Sequence, residues 1–229
     1  MAEFLLVLTA FVLSHSIPTR SGLRRRLADA MGERAYLSLY SLLSIALLAW
    51  LIRAAVRAPF VPLWELAPWH YHATFALMVP ASMLFIGGAF APNPLSISFS
   101  RRPFDLARPG LVGITRHPLL WAFALWSFAH LIPNGDMVSL IMFGGFGLFS
   151  LTGMAMVDRR MRTALGPEWG RLAARTSIIP FGALLSNRAS LRWDVLALVV
   201  TIVGGALLYL TLLGLHPMVI GVDPAAALG

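Results

Sequence analysis

Six apolar runs, at 2–17, 36–56, 72–91, 118–132, 137–157 and 195–215, leave this chain no way to fold as a protein of water. Each approaches the ~20 residues that carry an α-helix across a bilayer. Backbone N–H and C=O groups in lipid find no water, so segments of this kind satisfy one another as helices. The expected fold is all-α: a polytopic integral membrane helical bundle of about six transmembrane helices. The first and fourth runs are short and call for little tilt or for shielding by neighbours. With 58% of residues hydrophobic, 12% charged and no long polar stretch, the whole of 1–229 reads as a single integral membrane domain.

Arginine sets the orientation. Arg20, Arg24, Arg25, Arg26 and Arg34 follow the first run, and Arg101, Arg102, Arg108 and Arg116 follow the third. Arg159, Arg160, Arg162, Arg171, Arg175, Arg188 and Arg192 follow the fifth, so 16 of the 18 basic residues share one side. The positive-inside rule makes that side cytoplasmic and places both termini outside, as in a multi-pass protein of a bacterial inner membrane. The net charge of +8 is then mostly topology, and no nucleic-acid partner is implied. The amino terminus begins Met-Ala-Glu without a basic leader, which reads as a retained first helix rather than a signal peptide. Cysteine and lysine are both absent, excluding disulfides, thiolate ligands and side-chain Schiff bases. The glycine pairs at 87–88, 144–145 and 204–205 fit close helix packing, and Pro80 a kink.

Two histidines break the apolar pattern. His15 closes the first run, and His130 lies within the fourth. An ionisable side chain inside a membrane segment is costly and marks a candidate functional site. Four segments carry more information than packing requires. The first is Leu13-Ser-His15-Ser-Ile-Pro18, followed by Gly32-Glu-Arg-Ala-Tyr36, and the second is Trp64-Glu-Leu-Ala-Pro-Trp-His70-Tyr-His72. The third is Gly113-Ile-Thr-Arg-His117-Pro118-Leu-Leu-Trp121, continuing to Trp126-Ser127-Phe-Ala-His130 and Asn134-Gly-Asp136. The fourth joins Asp158-Arg-Arg, Gly166-Pro-Glu-Trp-Gly170 and Ala174-Arg175-Thr-Ser-Ile-Ile-Pro180-Phe181. His70 and His72, among Trp64, Trp69 and Tyr71, read as part of an interfacial aromatic belt. His216, beside Pro217, reads as interfacial.

In this order the four segments resemble the NnrU family of bacterial membrane proteins and its plant relatives, the 15-cis-zeta-carotene isomerases. The resemblance runs from His15 to about Arg188. It implies an association with denitrification and nitric oxide reduction, as for the bacterial members. The plant enzymes, by contrast, are haem b proteins that isomerise a central cis double bond. Carried over residue by residue, the resemblance places the two axial haem ligands on His15 and His130. A cysteine of the isomerases falls on Ser127, and a serine hydroxyl is a poor ligand for haem iron.

Neutral imidazole suits iron, and an apolar bundle keeps water from a porphyrin. The Arg20 to Arg26 cluster, with Arg101, Arg102 and Arg116, would supply cations for the propionates. Arg116 and His117 would border the cytoplasmic mouth of such a site and Arg175 would close it. Depth leaves the ligand pair open. Thirteen positions separate His117 from His130 by about 20 Å along a straight helix, and by depth alone His15 pairs with His117, the alternate ligand. The Arg116-His117-Pro118 tripeptide with Glu168 also resembles the membrane methyltransferases that bind S-adenosylmethionine, with Asp158 in place of their upstream glutamate. A third class is a non-enzymatic assembly factor. The expected partners are the lipid bilayer and a hydrophobic small molecule or nitric oxide.

Overall fold

A computed structural model describes residues 1–20 and 22–228; the side chains of Thr19, Arg20, Ala227 and Leu228 lie outside the described residues, and with them the Arg20 member of the cation cluster. All six apolar runs are helical, and among the described residues the only β-type pairing is an isolated bridge between Pro62 and Asp136. Among the described residues, four helices are long and apolar enough to cross a membrane: α3 (Glu33–Arg57), α4 (Pro68–Phe90), α7 (Met137–Leu165) and the continuous Val195–Val219. A fifth span results if α1 (Ala2–Arg20) and α2 (Leu23–Met31), which are bent against each other, act as one. The expected six thus become four to five, because α6 (Pro118–Leu131) has only 14 residues, about 21 Å at ~1.5 Å per residue. The connecting helices are α5 (Leu111–Ile114), α8 (Pro167–Ala173) and α9 (Gly182–Leu185). The last long helix comprises α10 (Val195–Val199), a π-turn over Val200–Gly204 and α11 (Gly205–Val219).

The ends of these helices are chemically marked. Pro68 and Pro118 open α4 and α6 at a position where no backbone N–H is needed. Asp194 caps α10 by accepting from the Ala197 N–H at 3.1 Å. Helix α7 continues beyond 157, so that Asp158, Arg159, Arg160 and Arg162 lie on its last turns rather than in a loop. It ends where Gly166 takes φ 55°, a left-handed value that glycine tolerates. Large apolar side chains remain on the outside, such as Leu42 at 64%, Leu148 at 63% and Leu207 at 60% exposure. A helix apolar all round, with such residues facing outward, finds its solvent in lipid.

The chain separates into two compact units, Met1–Trp64 with Asp136–Met142, and Glu65–Gly135 with Phe143–Gly229. In the first, Phe4, Val7, Leu51 and Ala54 are buried in the packing of α1 and α3. Trp50 Nε1 donates to Glu3 at 2.9 Å, and the Met137 N–H donates to the Val61 carbonyl at 3.0 Å. In the second, α4 is the central helix. A Cβ on Gly88 would lie 2.7 Å from the Leu119 backbone nitrogen, so α6 sits directly on the α4 backbone there. Gly87 is closed in by Leu111 and Thr201, and Gly205 by the Met83 backbone, whereas Gly145 faces open space.

Candidate functional site

The third and fourth sequence segments meet in the second unit. Arg116 N–H donates to the Ser177 carbonyl at 2.7 Å, the Phe181 N–H to the Ile114 carbonyl at 2.8 Å, and Thr115 Oγ1 to the Ile178 carbonyl at 2.9 Å. Trp121 Nε1 donates to that same carbonyl at 2.8 Å. This stitching buries Arg116 to 7% exposure and His117 to 0%. A buried guanidinium demands partners, and every side of this one is used. It donates to Asp158 Oδ2 at 2.5 Å, to Thr176 Oγ1 at 3.0 Å and to the Ala173 carbonyl at 3.1 Å. Burial still lowers the Arg116 pKa, with Asp158 opposing the shift.

His117 shares the same carboxylate. Its Nε2 lies 3.1 Å from Asp158 Oδ1 and its Nδ1 lies 2.8 Å from Ser96 Oγ. A carboxylate only accepts, so Nε2 carries the proton and Nδ1 accepts from the serine hydroxyl. Burial, assisted by the neighbouring Arg116 charge, outweighs the attraction of Asp158 and pushes the His117 pKa down to about 4. His117 is thus neutral, with both ring nitrogens engaged.

His130 differs in each respect. It sits near the carboxyl end of α6, where its Nδ1 donates to the Trp126 carbonyl at 2.8 Å. A carbonyl only accepts, so the neutral ring presents Nε2 as a lone pair. The Trp126 ring centre is 4.8 Å away and that of Phe143 is 5.2 Å away. The His216 ring, on α11, is centred 6.4 Å from it with the planes 25° apart. His216 Nδ1 donates to the Val222 carbonyl at 2.7 Å. Beside His130, Ser127 is fully buried and donates its hydroxyl to the Phe123 carbonyl at 2.8 Å.

His15 belongs to the first unit. Its Nδ1 donates to the Phe11 carbonyl at 2.8 Å, with Ser14 Oγ 3.1 Å from the same nitrogen. Phe11 and Tyr40 contribute ring contacts at 4.3 and 5.6 Å. His70 accepts the Ala67 N–H at 2.7 Å and so closes the start of α4. Arg175 is exposed. It faces a hollow of about 200 Å³ with Asn187 and Arg188, apart from Arg116 and His117 in the hydrogen-bond network. The nearby carboxylates pair elsewhere: Asp158 holds Arg116 and His117, and Glu168 holds Arg171. A larger cleft of about 600 Å³ is lined by Arg101, Arg102, Arg171 and Asn93, and by none of the candidate histidines.

Structure thus brings Arg116 and His117 together around Asp158, sets Arg175 apart from them and places His130 at the far end of α6. His216, read from the sequence as interfacial, lies beside His130, its ring centred 6.4 Å away.

Apolar helices of spanning length, carrying exposed aliphatic faces and a buried arginine–carboxylate–histidine cluster, define an integral membrane helical protein. The chain belongs to the NnrU family, whose sequence profile, described as "NnrU protein", matches residues 3–224. It is similar to the "15-cis-zeta-carotene isomerase, chloroplastic" of Zea mays, 26% identical over 202 residues, covering 83% of this chain and 52% of the relative. The Arabidopsis thaliana protein of the same name is 27% identical over 195 residues, with the same two coverages of 83% and 52%. The chain therefore spans about half the length of the curated relatives it matches. No solved structure matches it.

Proposed function

We propose that this NnrU protein is a haem b protein of the bacterial inner membrane acting in nitrogen-oxide metabolism, with nitric oxide as the small molecule that meets the haem. The observation that carries the reading is the state of His130: a neutral imidazole anchored through Nδ1 to the Trp126 carbonyl, walled by Trp126 and Phe143. A histidine whose second nitrogen is fixed by a backbone carbonyl is oriented as metal-bound histidines are. The donor chemistry therefore fits haem iron, with one further imidazole needed. The family resemblance marks His15 for that role, and its Nδ1 is anchored to a carbonyl in the same way. His117 does not offer itself, because Asp158 and Ser96 occupy both of its nitrogens. Haem bound here supplies an iron that changes oxidation state in an apolar setting. The chain's own part is to orient the imidazoles and exclude water.

A second reading, isomerisation of a carotene, is favoured by the name that both curated relatives carry. Ser127 weighs against it, since its hydroxyl is spent on the Phe123 carbonyl and cannot take the part of a thiolate. A methyltransferase pocket around His117 is less favoured, because that residue is buried and fully bonded. The deciding experiment is the absorbance spectrum of the purified full chain from haem-replete cells, oxidised and dithionite-reduced, with His130→Ala and His117→Ala beside it. The expected result is a Soret band weakened by the first variant and untouched by the second. A shift of the reduced bands on adding nitric oxide supports the nitrogen-oxide reading. Conversion of 15-cis-zeta-carotene without such a shift replaces it with the isomerase reading, and a colourless protein overturns both.

A further inference from the structure

We propose that Arg101 and Arg102 bind the phosphate of an anionic phospholipid in the cleft between the ends of α4 and α7, a site that stands apart from the haem reading above. The cleft of about 600 Å³ takes Asn93 from the chain just past α4, Leu165 from the last position of α7 and Arg171 from α8. At ~1.5 Å per residue the 23 residues of α4 run about 35 Å and the 29 of α7 about 44 Å. Both exceed the ~30 Å hydrocarbon core, so helix ends of this kind reach the headgroup layer. The chain after α4 keeps that depth. Phe99 N–H donates to the Ala89 carbonyl at 2.9 Å and Ser98 Oγ to the Ala91 carbonyl at 2.6 Å, which lays 98–99 back along the last turn of the helix. Phe90 and Phe99 are both exposed there, as aromatic side chains at a lipid interface are. Arg101 follows Phe99 by two residues, at most about 7 Å of chain, which keeps both arginines within reach of the phosphate layer.

The charge balance of the cleft leaves these two cations over. Its lining carries three arginines and two carboxylates, and the carboxylates are spent. Glu168 accepts from Arg171 at 2.5 and 2.9 Å, and Asp105 accepts from the Ala107 N–H at 2.8 Å and from Arg108 at 3.3 Å. Among the described residues, neither Arg101 nor Arg102 has a side-chain hydrogen bond or an ion pair. Adjacent guanidinium forks suit phosphate oxygens, which they can grip bidentately. Phe104, Leu106 and Leu172 give the same cleft an apolar wall. A free phosphate has no use for that wall or for Phe99 beside it, whereas the glycerol and acyl portions of a lipid do. Basic pockets between membrane helices hold anionic headgroups on this principle.

The test titrates phosphatidylglycerol, phosphatidylcholine or inorganic phosphate onto the full chain, purified and delipidated in neutral detergent, and counts bound lipid by native mass spectrometry. One phosphatidylglycerol is expected to bind in preference to phosphatidylcholine, and a large excess of inorganic phosphate does not displace it. Arg101→Gln combined with Arg102→Gln weakens that binding about thirtyfold. Arg159→Gln combined with Arg160→Gln removes the same charge from exposed positions outside the cleft lining, and with salt screening it changes the binding less than about threefold. Glu168→Gln releases Arg171 to the cleft and tightens the binding, a gain that a misfolded variant does not produce. Equal binding of the two lipids, or equal losses in the two double variants, leaves only diffuse surface charge and overturns the site. Displacement by inorganic phosphate overturns the lipid assignment in favour of a soluble phosphate. A weakened Soret band in the Arg101 and Arg102 double variant returns these cations to haem propionates and overturns it as well. Binding no tighter in Glu168→Gln overturns the proposal even where that double variant fails to fold.

Discussion

The two ends of α6 each hold a histidine, and the pair shows how little burial alone says about what a histidine does. At the amino end, His117 is sealed from solvent with both nitrogens engaged, one by Ser96 and one by an Asp158 already bound to Arg116. Thirteen residues on, His130 has one nitrogen tied to its own helix, and its ring packs beside Trp126 and the imidazole of His216. The first end joins segments far apart in the chain. At the second, only one ring nitrogen is tied to the chain among the described residues. The discriminating quantity is the number of ring nitrogens already satisfied, since a ligand needs one lone pair left over.

The contrast breaks most visibly at Asp158. Asp158→Ala leaves a buried guanidinium without its carboxylate, and such losses cost about 3–5 kcal/mol. Thermal unfolding in detergent should register a loss of that size, while the spectrum set by the His130 end stays as in the wild type. A loss below about 1 kcal/mol would mean that the cluster does not hold the segments together.

Acid sharpens the same end next. An unfolded histidine takes its proton near pH 6.5, whereas folded His117 resists until about 4. The folded pKa is depressed, so its contribution is complete above about 6.5 and is lost as pH falls from there to about 4, because the unfolded chain binds the proton first. The loss reaches at most about 3 kcal/mol. Unfolding midpoints measured across that window should fall for the wild type and flatten for His117→Gln.

The junction between α4 and the start of α6 responds less. In Gly88→Ala the new methyl meets the Leu119 nitrogen at 2.7 Å, and overpacking of this kind costs about 1–3 kcal/mol. Gly145→Ala, facing open space, serves as the neutral control in the same melt. The smallest effect belongs to Arg175→Ala, an exposed side chain outside the cluster, which should stay within about 0.5 kcal/mol. A larger change would return Arg175 to the site that the sequence suggested for it.

Much of the architecture was legible in the chain. Apolar runs near bilayer length announce their helices, since lipid leaves the backbone no other means of satisfying itself. The starts at 118 and 195 matched the runs, whereas α4 begins at Pro68, four residues before the run at 72. The ends were less legible, as α7 shows. Hydropathy stops at 157, yet the helix carries Asp158 and three arginines onward to Leu165 because a helix does not end where lipid does. The count of spans shifted for a related reason: α6 is apolar but short, and apolarity records the environment rather than the distance crossed. At the site, Arg116 and His117 were recognisable through the resemblance that their Arg-His-Pro motif carries. Their union with Asp158 and Thr176 was not, because those partners lie 42 and 60 positions away from Arg116.

By itself, then, the sequence determined the medium, the helical class and the NnrU membership. Each follows from local composition or from motifs contiguous in the chain. Only the tertiary structure decided which histidines are spent and which present a nitrogen. His117 was consumed by a serine and an aspartate on other elements, while His130 gained the imidazole of His216, 86 residues on. Hydrogen bonds and ring contacts act over a few ångströms of space, and folding alone brings such distant residues within that range.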